Sequence, residues 1–158
     1  MIMDKSALQE CLFKEAEIIQ DIISRMANNQ FYIKAWSVTL IVGTLLLKGN
    51  IYHSFLAFIP WLIFWVYDSY FLRLEKLYRA HYEWVINNRL KSDQFLLELD
   101  RSKLEASLKE NLKERFSQKV PCITQIMFSK SVLLFYLFLL AMVLLVTSTE
   151  FLTQGKLI

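Results

Sequence analysis

An unbroken apolar run from residue 132 to residue 146 limits what this chain can fold into more than any other feature. With its flanking residues the run extends over 130–152, and about 20 helical residues cross a hydrocarbon core about 30 Å thick. Two earlier segments, 31–47 and 51–72, have a similar character. Because only three glycines and two prolines occur among 158 residues, helices are expected throughout. The sequence therefore predicts an all-α protein with three transmembrane helices.

Lysine and arginine are distributed unevenly around these segments, and this predicts their orientation. Twelve of the eighteen basic residues fall between residues 73 and 130, whereas one falls in the loop between the first two spans and one in the C-terminal tail. Positively charged segments stay on the cytoplasmic side of a membrane. We therefore expect 1–30 and 73–129 in the cytoplasm and 153–158 outside it. Membrane lipids with anionic headgroups are expected partners of the basic residues.

Residues 1–30 are predicted to form a cytoplasmic amphipathic helix that ends near Asn28. Apolar residues recur along it at helical spacing, namely Leu8, Leu12, Ile19, Ile22 and Met26. Glu15 occupies the remaining position of this stripe. Two interpretations stay open: the stripe packs on the protein's own cytoplasmic helices, or it lies on the membrane or pairs with a neighbouring subunit.

The cytoplasmic segment 73–129 is predicted to be helical and basic. The second span is expected to continue as one helix to Asn87 and Asn88, and a further helix is expected over about 92–119. Leucines mark one face of this further helix, namely Leu97, Leu104, Leu108 and Leu112. So small a chain has little to pack this face on, which favours a homo-oligomer.

Three cations fall on the leucine side of that helix, namely Arg101, Arg115 and Lys119. In an oligomer they would meet around its axis and would need an anion, such as a nucleotide or a short nucleic acid. The alternative is that the basic residues only orient the chain and attract lipid headgroups.

Two features of the predicted spans concern packing. Ala35, Thr39 and Gly43 are four residues apart and give the first span a face of small residues, which is typical of close helix packing in membranes. Pro60 removes a backbone donor within the second span and predicts a kink there.

Asp68 is the residue of the spans with the clearest functional meaning. It precedes Arg73 by five residues, so it lies inside the cytoplasmic edge of the membrane, where an ionised carboxylate needs a partner. In an antiparallel hairpin Lys34 and Ser37 reach the same depth, and Lys34 is the expected partner. The pair either fixes the register of the two helices or belongs to a gate, in which Asp68, Ser37 and Thr44 face a common axis.

The sequence contains no pattern typical of an enzyme. It has no glycine-rich phosphate loop, no serine nucleophile motif and no paired cysteines with metal-ligand spacing. Its two histidines are far apart, and Cys11 and Cys122 are expected to be free cytoplasmic thiols. We therefore predict a protein that is not an enzyme and that has no cofactor and no metal.

Residues 8–85 resemble a group of small bacterial inner-membrane proteins found in antiphage defence loci. The resemblance is carried by Arg25-Met26-Ala27-Asn28-Asn29, Phe31, Ile33-Lys34, Trp36, Phe64-Trp65, Asp68, Tyr70-Phe71-Leu72-Arg73 and Glu75-Lys76-Leu77-Tyr78-Arg79. It implies a multi-pass protein of the bacterial inner membrane and a defence effector similar to the membrane channel of the Hailong system. That channel is an oligomer held shut by a nucleic-acid oligomer that a partner nucleotidyltransferase makes. The resemblance identifies no ligand-binding residue.

Two classes of function remain open from the sequence. One is an oligomeric membrane effector, an ion channel gated by a nucleotide or oligonucleotide ligand. The other is a non-conducting scaffold or regulatory subunit that anchors a cytoplasmic partner.

Overall fold

The computed structural model describes residues 5–47, 55–90, 99–104 and 121–154. Four helices have the bounds Lys5–Leu46 (α1), Phe58–Asn88 (α2), Ile123–Met127 (α3) and Lys130–Gln154 (α4). Of the described residues, 91% are helical and none is in a strand, which confirms the all-α prediction.

Helix α1 is longer than the sequence predicts. The amphipathic helix does not end near Asn28, because α1 continues through this position to Leu46. No glycine or proline interrupts the chain between residues 5 and 42, and asparagine opposes a helix by only a few tenths of a kcal/mol, about 0.7 at most. The helical residues on both sides therefore carry the helix through.

Helix α2 begins at Phe58, so Pro60 lies in its first turn. The missing N–H of a proline has no intrahelical partner to lose there. Phe55 and Leu56 are also helical, and a turn at Ala57 separates them from α2, so the predicted kink at Pro60 stays a prediction. At its other end α2 continues to Asn88, as the sequence predicts.

The predicted helix over 92–119 is described only from Leu99 to Leu104. Leu99 and Asp100 are not helical, and a helical turn begins after Asp100. The Asp100 carboxylate accepts hydrogen bonds from the backbone N–H and the hydroxyl of Ser102, both at 2.9 Å, in the manner of an N-cap. These bonds hold the pKa of the Asp100 carboxyl below its ordinary value. The prediction of one uninterrupted helix over 92–119 is therefore wrong at Leu99 and Asp100.

The chain divides into two compact units, each with its own core. Unit 1 comprises Met1–Asn28 and Leu72–Pro121, and unit 2 comprises Asn29–Phe71 and Cys122–Ile158. The described core of unit 1 includes Leu8, Ile19 and Ile23 of α1 and Leu74, Leu77 and Val85 of α2. Of the N-terminal stripe, Leu8 and Ile19 are buried, whereas Leu12, Ile22 and Met26 are half-buried, which favours the first of its two interpretations. The described core of unit 2 includes Ile41, Ala57, Ile126, Val132, Leu139 and Val143.

One helix of the described part of the chain is long and apolar enough to cross a membrane. It is α4, over Lys130–Leu152, which coincides with the third predicted span. Helices α1 and α2 do not meet the same criteria of length and composition. Each of them joins an apolar part to a part that is rich in charged residues.

Candidate functional site

A charged pair lies in the interior of unit 2. The ammonium nitrogen of Lys34 on α1 donates a hydrogen bond of 2.8 Å to Oδ1 of Asp68 on α2. The Asp68 side chain has no exposed surface, whereas that of Lys34 is 30% exposed. The structure therefore contains the ion pair that the sequence predicts, with the carboxylate on its inner side.

Two hydroxyl groups lie beside this pair. The Ser37 hydroxyl, on the next turn of α1, donates a hydrogen bond of 2.8 Å to the carbonyl oxygen of Lys34. The Tyr136 hydroxyl, on α4, donates one of 3.0 Å to the carbonyl oxygen of Phe64, which lies one turn before Asp68 on α2. Ser37, Asp68 and Tyr136 are all fully buried. We call Lys34, Ser37, Asp68 and Tyr136 the polar cluster.

The second carboxylate oxygen of Asp68 has no hydrogen-bond partner among the described residues, although it is buried. A buried acceptor without a partner costs about 1–3 kcal/mol, and more when it carries charge. Native structures keep such groups mainly where they have a function, or where a water or ion completes the site.

Two tryptophans of α2 hold Tyr136 in place. The indole N–H of Trp61 donates to the backbone carbonyl of Tyr136 at 2.8 Å, and that of Trp65 donates to the carbonyl of Met127 at 3.2 Å. The rings of Trp65 and Tyr136 also stack, with centroids 6.3 Å apart. The bond of Trp61 and the ring contact of Trp65 hold α4 against α2 at the level of the cluster, whereas the bond of Trp65 holds α3 there. Nothing in the sequence of the apolar third span singles out Tyr136 for this position.

The small-residue face of the first span does not pack on any described part of the chain. Ala35, Thr39 and Gly43 are exposed, and a Cβ added at Gly43 would meet nothing within 4 Å. The hydroxyls of Thr39 and Thr44 donate to their own helix, to the carbonyls of Ala35 and Leu40. Close packing of this face against a helix of a second subunit therefore stays a prediction. Thr44 is half-buried, and no described hydrogen bond links it to the polar cluster.

Of the predicted anion-binding cations, only Arg101 is described. It is half-buried in the turn after Asp100. Arg115 and Lys119 lie outside the described residues, as do three of the four predicted leucines, and the fourth, Leu104, is buried. The described residues therefore include one of the three cations, and their meeting around an axis stays a prediction.

A second charged pair, in unit 1, was not predicted from the sequence. Arg89 donates two hydrogen bonds to Glu15, from Nε to Oε2 at 2.7 Å and from the guanidinium Nη2 to Oε1 at 2.8 Å. Both side chains are completely buried. The guanidinium also lies 5.5 Å from the ring centre of Trp84, and the ring of Trp84 stacks on His81. Arg89 is thus not one of the cations that face lipid headgroups.

The sequence gives one indication of this pair, namely that Glu15 occupies a position of the N-terminal apolar stripe. A carboxylate within an apolar stripe needs a partner when the stripe is buried. The identity of that partner, 74 residues away, could not be read from spacing.

In the described ranges, no three His, Cys, Asp or Glu side chains lie where they could hold a metal ion. Neither Cys11 nor Cys122 forms a disulfide in the described structure. Comparison with known proteins finds no matching family model, no matching curated protein and no matching solved structure. Function must therefore be argued from the residues themselves.

Proposed function

We propose that the chain is a bacterial inner-membrane protein with three spans, 31–47, 51–72 and 130–152, which assembles as a homo-oligomer. In this proposal the oligomer is an effector of antiphage defence, an ion channel whose state depends on a nucleotide or oligonucleotide.

Membrane embedding is supported by where large apolar side chains are exposed. Of the twenty-six described exposed large hydrophobic residues, twenty-three belong to unit 2 and three, Phe13, Ile86 and Leu90, belong to unit 1. The exposed residues of unit 2 come from α1, the segment at 55–67 that includes the start of α2, and α4 alike. Water-exposed proteins rarely present so much contiguous apolar surface. This observation carries the proposal that all three segments contact lipid.

The boundaries of unit 2 also agree with the predicted limits of the membrane segments. Unit 2 begins at Asn29 and its first part ends at Phe71, close to the limits of the predicted hairpin over 31–72. Exposed Tyr32 and Trp36 on α1 and exposed Tyr67 on α2 lie near these limits. Tyrosine and tryptophan are enriched at membrane interfaces, where an amphipathic ring contacts both lipid and water.

Ion conduction is supported by the polar cluster. Ionisable residues within membrane segments are costly, face the interior of a helix bundle and are typical of ion and proton pathways. Asp68 fits this description, since it is fully buried and one of its oxygens has no partner among the described residues. Ligand control, by contrast, rests on the cations that the sequence places on one helix face and on the resemblance to defence effectors.

Ligand control predicts the behaviour of the triple variant Arg101→Gln, Arg115→Gln and Lys119→Gln. It should insert normally, because nine of the twelve basic residues of its segment remain. It should lose bound nucleotide or nucleic acid and change conductance, since a ligand shifts a gate only by binding its two states differently. The measurements are the native mass and ultraviolet absorbance of the purified oligomer and ion flux into vesicles of phosphatidylethanolamine and phosphatidylglycerol. A wild-type oligomer without nucleic acid that passes no ions would favour the non-conducting scaffold instead.

The proposed topology predicts which cysteines an impermeant maleimide reaches. In a Cys11→Ser variant the exposed Cys122 should be labelled in inverted membrane vesicles but not in intact spheroplasts. A cysteine introduced at Gly155 in a chain without Cys11 and Cys122 should show the opposite pattern. Labelling of Cys122 from outside the cell would mean that the orientation is inverted.

A further inference from the structure

We propose that Asp68 is a proton-binding site and that H⁺ is the ion that crosses unit 2 through the polar cluster. This inference rests on the proposed channel function and names its ion. It depends on three properties of the cluster: an open acceptor, a neighbouring cation and two relay hydroxyls.

The open acceptor is Oδ2 of Asp68. Oδ1 receives the hydrogen bond of Lys34 at 2.8 Å, whereas Oδ2 is buried with no partner among the described residues. A proton can bind Oδ2 as a new O–H bond without displacing Lys34. The carboxylate then becomes a neutral carboxylic acid and can donate a hydrogen bond. No other carboxylate is buried among the described residues of unit 2, so this site alone changes charge in its interior.

The neighbouring cation decides between a proton and a metal ion. An alkali or divalent ion needs several oxygen ligands, and at Asp68 it would meet one free carboxylate oxygen and the repulsion of the Lys34 ammonium. A proton needs only one lone pair. The site therefore favours H⁺ over Na⁺ or K⁺.

The two hydroxyls supply a route beyond Asp68. Lys34, at 30% exposure, is the cluster's link to its surroundings, and Asp68 is fully enclosed. The Tyr136 hydroxyl donates to the carbonyl oxygen of Phe64, one turn before Asp68 on α2, and the Ser37 hydroxyl donates to the carbonyl oxygen of Lys34, whose ammonium binds Asp68. Because a hydroxyl both accepts and donates, each can take a proton on its oxygen and release its own.

The charged and titratable groups that the structure shows facing Asp68 are Lys34 from α1 and Tyr136 from α4. When the proton leaves Oδ2, the carboxylate regains its charge and its attraction to Lys34. The proton comes from hydronium in the water at the exposed side of Lys34, and an O–H bond of hydronium breaks as the O–H bond at Oδ2 forms. On release the O–H bond at Oδ2 breaks as a new one forms on the Tyr136 hydroxyl oxygen, which gives up its own proton, so each passage returns the cluster to its starting state. Lys34 remains an ammonium ion throughout.

The test measures H⁺ and K⁺ flux separately in vesicles of phosphatidylethanolamine and phosphatidylglycerol, with a pH dye or a K⁺ dye inside. Asp68→Asn and Tyr136→Phe should each lose most H⁺ flux, and Asp68→Glu should retain it. The double variant Lys34→Gln with Asp68→Asn keeps a neutral hydrogen-bonded pair and should assemble normally while passing no H⁺. Ser69→Ala is the matched control, since Ser69 is also buried beside Asp68 but donates only to the carbonyl of Trp65 in the described structure. It should conduct like the wild type.

The outcomes separate this inference from the channel itself. K⁺ flux without H⁺ flux, or H⁺ flux that survives both Asp68→Asn and Tyr136→Phe in assembled protein, would overturn the proton site and leave the channel standing. Wild-type vesicles that pass neither ion would overturn both. Loss of H⁺ flux in the assembled double variant, with Ser69→Ala unaffected, would support the site.

Discussion

Arg89→Ala is expected to lower the free energy of unfolding of the purified protein by about 3–5 kcal/mol, the range typical of breaking a buried ion pair. The reason is the charge left behind. Glu15 is completely buried and accepts two hydrogen bonds from Arg89, so its carboxylate would stay in the core of unit 1 without these two charge-assisted bonds. Arg89 also contributes a contact with the face of Trp84, which the alanine removes. Denaturant unfolding in detergent, followed by circular dichroism, measures the change.

Arg79→Ala is the matched control, because it removes the same kind of residue from the same helix. The Arg79 side chain is 60% exposed and pairs with Glu75 one turn away. Exposed pairs of this kind contribute about 0–1 kcal/mol. The combined variant Glu15→Leu and Arg89→Met should recover much of the stability, since apolar residues often replace a buried ion pair without loss. Equal losses for Arg79→Ala and Arg89→Ala would show that burial of the pair is unimportant.

The two ion pairs show what the sequence could and could not predict. Lys34 and Asp68 were paired correctly, because two adjacent apolar segments with a short loop place residues at similar depth opposite each other. The sequence predicts Arg89 to be a surface cation, because charged residues are almost never fully buried unless they are paired. Its partner could not be known from the sequence. Glu15 carried a local signal, its place in an apolar stripe, but a contact over 74 positions depends on the tertiary fold.

Helix boundaries show the same limit. The apolar segments and the helical continuation of α2 to Asn88 follow from periodicity. The asparagines at 28 and 29 predict a helix end, but they are weak helix breakers and α1 continues through them. Pro60 lies in the first turn of α2, and a turn at Ala57 separates this helix from the helical residues 55–56. Intrinsic preferences of this size, below about 1 kcal/mol for residues other than proline, are decided by packing.

Tyr136 could not be found from the sequence for a different reason. Within an apolar span, a tyrosine is not distinguished from the other large hydrophobic residues. Its hydroxyl finds a hydrogen-bond partner on α2 only when α4 packs beside that helix. The indole of Trp61, which donates to the backbone of Tyr136, makes this contact specific. The polar cluster is therefore a property of the three packed helices rather than of any one segment.

Lys34→Ala is expected to destabilise the protein more than Asp68→Ala, although both break the same ion pair. Without Lys34 the carboxylate of Asp68 is left fully buried and unpaired, which costs about 3–5 kcal/mol. Without Asp68 the ammonium of Lys34, already 30% exposed, can turn its long side chain towards water or lipid headgroups. The loss then approaches that of one hydrogen bond to a charged group, about 1.5–3 kcal/mol. Denaturant unfolding and the fraction of assembled oligomer on native gels measure both effects.

The double variant Lys34→Ala and Asp68→Ala completes the cycle and should recover much of the loss, because no charge is then left without its partner. Contacting residues commonly show a coupling free energy of about 0.5–3 kcal/mol, and a charged pair of 2.8 Å should fall within that range. Strictly additive losses in the three variants would mean that the two side chains stabilise the protein independently. An Asp68→Ala protein that assembles like the wild type but conducts differently would instead assign the pair to gating, since the carboxylate would then matter for the ion path and not for the register of α1 and α2.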